Sequence, residues 1–291
     1  MTSRNASLVI GAHGVIGRAV SERLRILGHQ VVEMTRRPTA GSLTFDLDAL
    51  ATSWAPPMDV TTAYFCAAVT SQAACHSAFA QAYAANVTNT VLLIRRLVDA
   101  GVFVVFPSTN LVFDGSTPRV SVKAARCPRT TYGRMKAEAE THLLALGEGV
   151  GVVRLTKVVH EHLPIFVEWR TSLTQGVSVH PFRDMVFSPL PLGDAVSVLV
   201  AVGEKGAHGI TQASAQDDIS YAHACDLLAR QLGIAESRVQ PVSWQEVDRR
   251  FEHVPEHTTL DTARAEELCG FAPPMARAAL VEIFASSTAI Q

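Results

Sequence analysis

The chain has 291 residues, 48% hydrophobic and 18% charged, a balance typical of a globular protein with a sizeable core. Its net charge of −2 provides no basic excess for nucleic acid, and no apolar run approaches the roughly 20 residues that span a bilayer. The five cysteines are scattered and form no CxxC pair, which fits a reducing cytoplasm and predicts neither disulfides nor a metal site. We therefore expect a cytoplasmic protein that lacks a signal peptide and binds neither nucleic acid nor membranes.

Short apolar runs alternate with helical patterns in the first half of the chain. The predicted strands are Ser7–Gly11, Gln30–Thr35, Ala63–Ala68, Val102–Pro107 and Gly151–Leu155. The predicted helices between them are Val15–Leu27, Ala84–Ala100 and Tyr132–Leu146. Apolar strands without alternation, separated by helices, indicate a parallel sheet that is covered on both faces.

The second half has shorter and less regular patterns. The predicted helices are Ala195–Val202, with Asp194 as its N-cap, Ser220–Leu232 and Asp261–Leu268. Val239–Trp244 is predicted as a short strand, whereas Ser172–Pro191 shows no clear period. This half is expected to form a smaller lobe over the carboxyl ends of the sheet.

A glycine-rich turn, Gly11-Ala12-His13-Gly14-Val15-Ile16-Gly17, joins the first strand to the first helix. Glycines allow the backbone to approach a pyrophosphate closely, and the helix N-terminus supplies N–H donors and a favourable dipole. We expect a dinucleotide to be bound by Gly11, His13, Gly14, Val15, Ile16 and Gly17. The alternative is a tight strand–helix connection that binds no ligand.

The second strand ends at two arginines, Arg36 and Arg37, where an NAD-selective site usually has an acidic residue. Guanidinium groups suit a 2′-phosphate, so NADPH is favoured over NADH. The alternative is a pair of solvated arginines. Asp46 is placed where it can reach the adenine.

The sequence Tyr132-Gly133-Arg134-Met135-Lys136 puts a phenol and an ammonium group on one helix face. A nearby cation is expected to lower the pKa of Tyr132 and allow proton exchange with a carbonyl or alcohol oxygen near neutral pH. The segment Pro107–Gly115 follows a strand, and a hydroxyl at the end of that strand, from Ser108 or Thr109, can orient that oxygen. The alternative is that these hydroxyls merely cap a turn. The alternative for the tyrosine and lysine is an exposed helix pair.

Together these features resemble an extended short-chain dehydrogenase/reductase of the dTDP-4-dehydrorhamnose reductase-like family. The STDYVFDG and YGxxK segments of that family match Ser108-Thr109-Asn110-Leu111-Val112-Phe113-Asp114-Gly115 and the tyrosine–lysine motif. Arg154-Leu155-Thr156 and Leu260-Asp261-Thr262 are also similar to family segments, so the resemblance covers nearly the whole chain. It implies an α/β fold with a doubly wound Rossmann sheet, residues 1–157 with a return segment at about 186–210. A smaller C-terminal substrate-binding lobe would comprise residues 158–185 and 211–291.

The resemblance also implies roles for individual residues. Thr109, Tyr132 and Lys136 match the catalytic triad, and Asn86 matches an asparagine that supports a proton relay to the lysine. Cys66, Ala67 and Ala68 match a segment that passes beside the cofactor.

The chain departs from the family where the substrate would bind. Asn110 and Leu111 replace an aspartate and a tyrosine, and Lys157 begins a stretch that is aromatic-rich in rhamnose-pathway enzymes. The core chemistry is therefore expected to be intact, with a different nucleotide-activated keto sugar as substrate. The candidate substrate-binding residues are Asn110, Lys157, His180 and Arg183. The histidine pairs His160/His162 and His253/His257 lack a third ligand at metal-site spacing, so no metal is predicted.

The leading hypothesis is an NADPH-dependent reductase of a nucleotide-activated keto sugar, with the keto group at C4. One alternative is an epimerase or dehydratase that retains NAD, which the arginine pair disfavours. Another is a non-catalytic, NADP-binding regulatory subunit. The nucleotide, the sugar, the stereochemistry and a homodimeric state are left open by the sequence.

Overall fold

A computed structural model describes residues 6–37, 41–44, 47, 57, 59–247 and 251–286. Asp46 lies outside these described residues. No helix in this part of the chain is long and apolar enough to cross a membrane.

The strands form one large sheet and two small pairs. Their bounds are β1 Ala6–Ile10, β2 Gln30–Thr35, β3 Leu43–Thr44, β4 Val60–Phe65, β5 Phe103–Thr109, β6 Val150–Leu155, β7 Lys157–Val159, β8 Val186–Phe187, β9 Pro189–Pro191, β10 Gly209–Ala213 and β11 Ile219–Ser220. The large sheet has the order β10-β6-β5-β4-β1-β2-β3, and its pairings are parallel. Strands β2 and β3 are added on one side of β1, whereas β4, β5, β6 and β10 are added on the other. This change of direction creates a topological switch point at the carboxyl ends of β1 and β4.

Helices cover the large sheet and build a second layer beyond it. Their bounds are α1 Val15–Ile26, α2 Gln72–Ser77, α3 Phe79–Tyr83, α4 Thr90–Asp99, α5 Thr131–Leu144, α6 Pro164–Thr174, α7 Leu192–Glu204, α8 Tyr221–Gln231, α9 Trp244–Val247, α10 Ala263–Cys269 and α11 Ala276–Ser286. A π-helical turn, Ala84–Asn89, joins α3 to α4.

Both faces of the sheet are buried, which explains why its strands lack polar alternation. On β5, Val104 and Phe106 pack with α4 and α5, whereas Val105 packs with α1 and α7 on the opposite face. Successive side chains of a strand point to opposite faces, so a sheet covered by helices needs apolar residues at each position. The predicted doubly wound parallel sheet is confirmed.

A separate apolar cluster holds α6, α8 and α11 together around Phe166, Leu228 and Phe284. In contrast, β10 pairs with β6 in the large sheet, and α10 packs on α7 through Ala265. The residues beyond 210 are thus shared between the two clusters.

Several predicted elements are shifted in the structure. The strand predicted at Ala63–Ala68 is β4, which ends at Phe65 because its partner β1 ends at Ile10 and turns away at Gly11. Residues 66–68 therefore form a loop over that turn. The long helix predicted at Ala84–Ala100 begins with the π-helical turn, where the Thr90 hydroxyl donates to the Ala85 carbonyl at 2.6 Å.

Predictions in the second half were less accurate. The helix predicted at Ala195–Val202 is α7, which starts at Leu192 after the N-cap Pro191, so Asp194 lies in its first turn and does not cap it. The strand predicted at Val239–Trp244 is wrong, because Val239 and Val242 make only isolated bridges to Val179 and Phe182. The helices α6 and α11 and the strand β10 were not predicted.

A buried ion pair joins α5 to β5 and β6. The Glu140 carboxylate on α5 is fully buried and accepts hydrogen bonds from Arg154 of β6 at 2.7 Å and from the Ser108 hydroxyl of β5 at 2.5 Å. Arg126 adds a third donor at 3.3 Å. Ionised groups in the interior are tolerated only when paired in this way.

Glu140→Ala is expected to lower the free energy of unfolding by about 3–5 kcal/mol, because it leaves the Arg154 guanidinium buried without a counter-charge. Urea denaturation monitored by circular dichroism measures the change. Glu33→Ala, which removes the partner of the exposed Arg25, is the matched control, with an expected loss below about 1 kcal/mol. Equal losses in the two variants would contradict the assignment.

Candidate active site

A cavity of about 520 Å³ opens at the carboxyl ends of β4, β5 and β6. Phe65, Thr109 and Leu155, the last residues of these strands, line it, together with Ile16 of α1. The opposite side is lined by residues from β8, α8 and the stretch 251–258. The cavity thus lies between the sheet and the second apolar cluster, at the expected edge of an α/β sheet.

The glycine-rich turn has the geometry of a phosphate cradle. Gly11 has a φ of +83°, and a Cβ there would lie 2.8 Å from the Ala67 nitrogen. A Cβ at Gly17 would lie only 2.3 Å from the Gly11 carbonyl oxygen. Helix α1 has no side-chain cap at Gly14, so its first N–H groups are open to an anion. These residues fit the pyrophosphate of a dinucleotide.

Several of the predicted cofactor residues surround this turn. His13, Gly14 and Val15 are exposed at the start of α1, and Ile16 lines the cavity. Cys66 and Ala68 also line it, and the Cys66 N–H donates to the Ile10 carbonyl at 2.8 Å. Burial raises the pKa of the Cys66 thiol to about 12, so this thiol stays neutral beside the site.

Arg36 and Arg37 are exposed just beyond β2. The Thr35 hydroxyl donates to the Arg37 carbonyl at 2.7 Å and fixes the backbone there. The one nearby acidic residue of β2, Glu33, is bound to Arg25 at 2.8 Å. Within the described part of the chain, no carboxylate pairs with either arginine.

Thr109, Tyr132 and Lys136 line the same cavity, as the motifs predict. The Lys136 ammonium donates to the Pro107 carbonyl at 2.6 Å and lies 3.7 Å from the centroid of the Phe106 ring. Thr109 accepts a hydrogen bond from the Leu111 N–H at 3.2 Å and so begins the turn after β5. The neighbouring Ser108 hydroxyl donates to the Glu140 carboxylate at 2.5 Å, whereas the Thr109 hydroxyl makes a longer contact, 3.4 Å, to the Asn110 side-chain oxygen.

Burial dominates the proton affinities of the two titratable groups. It lowers the pKa of Lys136 to about 7, although Glu140 and Cys66 act in the opposite direction. It raises the pKa of Tyr132 above the ordinary value, with a smaller contribution from Cys75. The expected lowering of the Tyr132 pKa is therefore absent in the chain alone, because burial disfavours the charged phenolate.

Asn86 lies in the π-helical turn and is buried. Its carboxamide accepts from the Val69 N–H at 2.8 Å and donates to the Val69 carbonyl at 2.9 Å. Among the described contacts it therefore fixes the loop that carries Cys66 and Ala68, and none joins it to the lysine.

The four candidate substrate residues divide into two groups. Asn110 and Lys157 line the cavity, and the Lys157 ammonium lies 5.9 Å from the centroid of the Tyr221 ring. His180 and Arg183 do not line it. Both are exposed, and Arg183 is paired with Glu246 at 3.1 Å.

Several cavity residues were missed by sequence reasoning. They are Met185, Phe187, Tyr221, Phe251, His253, Pro255 and Thr258. They come from three separate segments with no shared motif, so no local pattern marks them. The described residues contain no group of three metal-binding side chains, and His253 is engaged with the Asp114 carbonyl at 2.7 Å.

The comparisons with known proteins agree with this geometry. The family described as "RmlD substrate binding domain" matches residues 6–289. The chain belongs to this family. It is thus an oxidoreductase of the dTDP-4-dehydrorhamnose reductase-like, sugar-nucleotide reductase type, and the predicted family and enzyme class are confirmed.

Individual relatives of this RmlD-family protein share its length and fold. A dTDP-4-keto-6-deoxy-D-glucose reductase of Streptomyces niveus is 28% identical over 238 residues, which cover 81% of each chain. A dTDP-4-dehydrorhamnose reductase of Bacillus anthracis, solved with NADP, is 18% identical with a TM-score of 0.81 over 97% of this chain and 99% of that one. MoeE5, solved with UDP-glucose and NAD, is 24% identical with a TM-score of 0.82 over 99% and 100%.

The buried amine of Lys136 gives a testable pH dependence. In the unfolded chain a lysine keeps its proton up to about pH 10.4, whereas the folded protein releases it near pH 7. The unfolded state therefore binds more protons between these values, so stability should rise with pH. We expect the unfolding free energy of the wild type, relative to Lys136→Met, to increase by up to about 1.4 kcal/mol per pH unit between pH 7 and 9.

Urea denaturation at a series of pH values measures this difference. Lys123→Met, on an exposed loop, is the control and should follow the wild-type pH profile. A constant difference between the wild type and Lys136→Met across this range would show that Lys136 remains charged in the folded protein.

Proposed function

We propose that the protein is an NADPH-dependent reductase that converts the keto group of a nucleotide-activated sugar, at C4, to an alcohol. The proposal rests on one observation: Thr109, Tyr132 and Lys136 line the same cavity. The phosphate cradle opens beside the same strand ends. A donor, an orienting hydroxyl and a cofactor site therefore occur together.

The residues of the chain divide the work of reduction among them. When bound, NADPH supplies the hydride. Tyr132 donates the phenolic proton to the oxygen that develops negative charge, and Thr109 orients that oxygen through its hydroxyl. Lys136, held by the Pro107 carbonyl, places a positive charge near the site when protonated and favours the phenolate left on Tyr132.

The lining of the cavity supports an anionic substrate. Among the described residues it includes Lys136, Lys157 and His253 but no aspartate or glutamate. A diphosphate is compatible with such a surface, and we assign it to Lys157 at the outer side. The reductase from Streptomyces niveus and MoeE5, which is solved with UDP-glucose, make a nucleotide sugar the natural class.

The same lining disfavours the dehydratase alternative. Elimination of water from a sugar needs an additional acid–base pair, which Asn110 and Leu111 do not supply. Retention of NAD is disfavoured by Arg36 and Arg37, which suit a 2′-phosphate. The regulatory alternative predicts cofactor binding without turnover and is decided by experiment.

We further propose the division of the chain into two lobes. The Rossmann lobe would include residues up to 157, the return segment to about 213 and α10, since β10 and α10 pack with the sheet. The substrate lobe would be built around α6, α8 and α11. The five cysteines are free, in keeping with a cytoplasmic location.

Tyr132→Phe should abolish reduction while leaving NADPH binding intact, because it removes only the proton donor. NADPH oxidation at 340 nm is followed against a panel of nucleotide-linked 4-keto-6-deoxy sugars, and NADPH affinity is measured by fluorescence. We expect a loss of at least about 100-fold in kcat. Tyr83→Phe, whose hydroxyl contacts Glu138 away from the cavity, should retain activity. Saturable NADPH binding by the wild type without turnover of any sugar would favour the regulatory alternative.

The double variant Arg36→Ala/Arg37→Ala tests the cofactor preference. Loss of two charge-assisted contacts to a 2′-phosphate should lower the ratio of NADPH to NADH affinity by about tenfold or more, with little effect on NADH. Titration with each cofactor gives the ratio, and Arg23→Ala, an exposed arginine of α1, serves as the control. An unchanged ratio would refute the role of the arginine pair.

A further inference from the structure

Residues 251–258, named here the wall segment, form one side of the cavity. Phe251, His253, Pro255 and Thr258 line the cavity. Glu252 does not line it, and its side chain is only 19% exposed. The carboxylate of Glu252 instead contacts α5 and α2 behind the wall.

The contacts of Glu252 converge on the start of the helix that carries Tyr132. The Thr131 N–H and the Thr131 hydroxyl both donate to its carboxylate, the hydroxyl at 2.5 Å. His76 of α2 lies at 2.8 Å and Arg134 at 3.8 Å. Thr131 is the first residue of α5 and directly precedes Tyr132. One carboxylate of the wall segment thus holds the first turn of this helix.

A second set of contacts joins the wall segment to the turn after Thr109. His253 bonds the Asp114 carbonyl at 2.7 Å, and the His257 N–H donates to the Gly115 carbonyl at 2.8 Å. A Cβ at Gly115 would lie 2.3 Å from the Pro255 Cβ, so the two backbones are in close contact. The wall segment is therefore anchored at two places: the start of α5, next to Tyr132, and the turn that follows Thr109.

The physical chemistry favours a strong contact at Glu252. The first N–H groups of a helix lack internal partners, and the positive end of the helix dipole attracts a carboxylate. Burial opposes ionisation, but the hydrogen bonds from Thr131 and His76 outweigh it and hold the pKa of Glu252 below its ordinary value. The carboxylate is therefore ionised at neutral pH, in the form that makes charge-assisted bonds.

We propose that Glu252 is a positioning residue that couples the wall segment to the first turn of α5, so that the substrate wall and Tyr132 are set together. Glu252 touches neither the cavity nor the reacting atoms and acts through Thr131. This inference rests on the proposed function for its kinetic effect, whereas the coupling between the two segments is independent of it.

Kinetics of Glu252→Ala and Glu252→Gln test the positioning role. We expect Glu252→Ala to lower kcat for keto-sugar reduction by about tenfold and to raise KM, because Tyr132 and the wall lose their common anchor. NADPH affinity should stay within about twofold, since none of the contacts described for Glu252 is made to the phosphate cradle. Glu252→Gln, which keeps an acceptor oxygen, should be intermediate, and Glu256→Ala, on the same segment without these contacts, should match the wild type.

A double-mutant cycle identifies the partner. Thr131→Val removes the hydroxyl donor and retains the backbone N–H. If Glu252 acts through Thr131, the double variant should have the same kcat as Glu252→Ala alone. Multiplied effects of the two substitutions would overturn the proposed route, as would unchanged kcat and KM in correctly folded Glu252→Ala.

Hydrogen exchange of the ligand-free protein tests the coupling without a substrate. In Glu252→Ala, peptides covering residues 129–135 and 251–259 should both exchange faster, by about tenfold, and in Glu256→Ala neither should change. Faster exchange of only one segment would refute the coupling. If the wild type reduces no sugar while both segments respond together, the proposed function fails and the coupling stands.

Discussion

The buried carboxylate of Glu140 is the constraint on which the geometry of the site depends. A fully buried charge is stable only when its partners are held in place, and here those partners come from different elements: Ser108 from β5 and Arg154 from β6. Glu140 lies one helical turn after Lys136 and two turns after Tyr132, so the same face of α5 carries all three. The position of α5 on the sheet is thereby fixed.

The same network decides which hydroxyl beside the cavity is held by Glu140. Ser108 and Thr109 both line the cavity, and the Ser108 hydroxyl donates to Glu140. Successive side chains of a strand point to opposite faces, so Thr109 lies away from this carboxylate and keeps its hydroxyl at the cavity. The guanidinium of Arg154 extends the network to Gln212 of β10 at 3.2 Å and lies 4.9 Å from the centroid of the Phe113 ring. Strand β10 and the turn after β5 are therefore both connected to the site through the buried Glu140–Arg154 pair.

The sequence predicted the parallel sheet and the glycine-rich turn well, for a physical reason. Strands buried on both faces and glycines forced by close backbone contacts leave local patterns, and Gly11 and Gly17 are where a Cβ has no room. The placement of Tyr132 and Lys136 on one helix face follows from helix periodicity alone. By contrast, Arg154 stood as a charge inside an apolar strand, and its burial with Glu140 depends on a partner 14 residues away that no local pattern reveals.

The substrate side could not be predicted in the same way, because its residues share no period and no motif. Their cationic side chains make His180 and Arg183 candidates for binding a diphosphate. However, Arg183 is paired on the surface and neither residue lines the cavity. The side of the cavity opposite the sheet is instead formed by β8, α8 and the wall segment, which meet only through tertiary packing. Chemistry in this fold is thus carried by residues at the ends of regular elements, while the shape of the pocket comes from irregular segments. Relatives can therefore share the residues at the strand and helix ends and still differ in the irregular segments that shape the pocket. It is these segments, and not the fold, that determine which sugar fits.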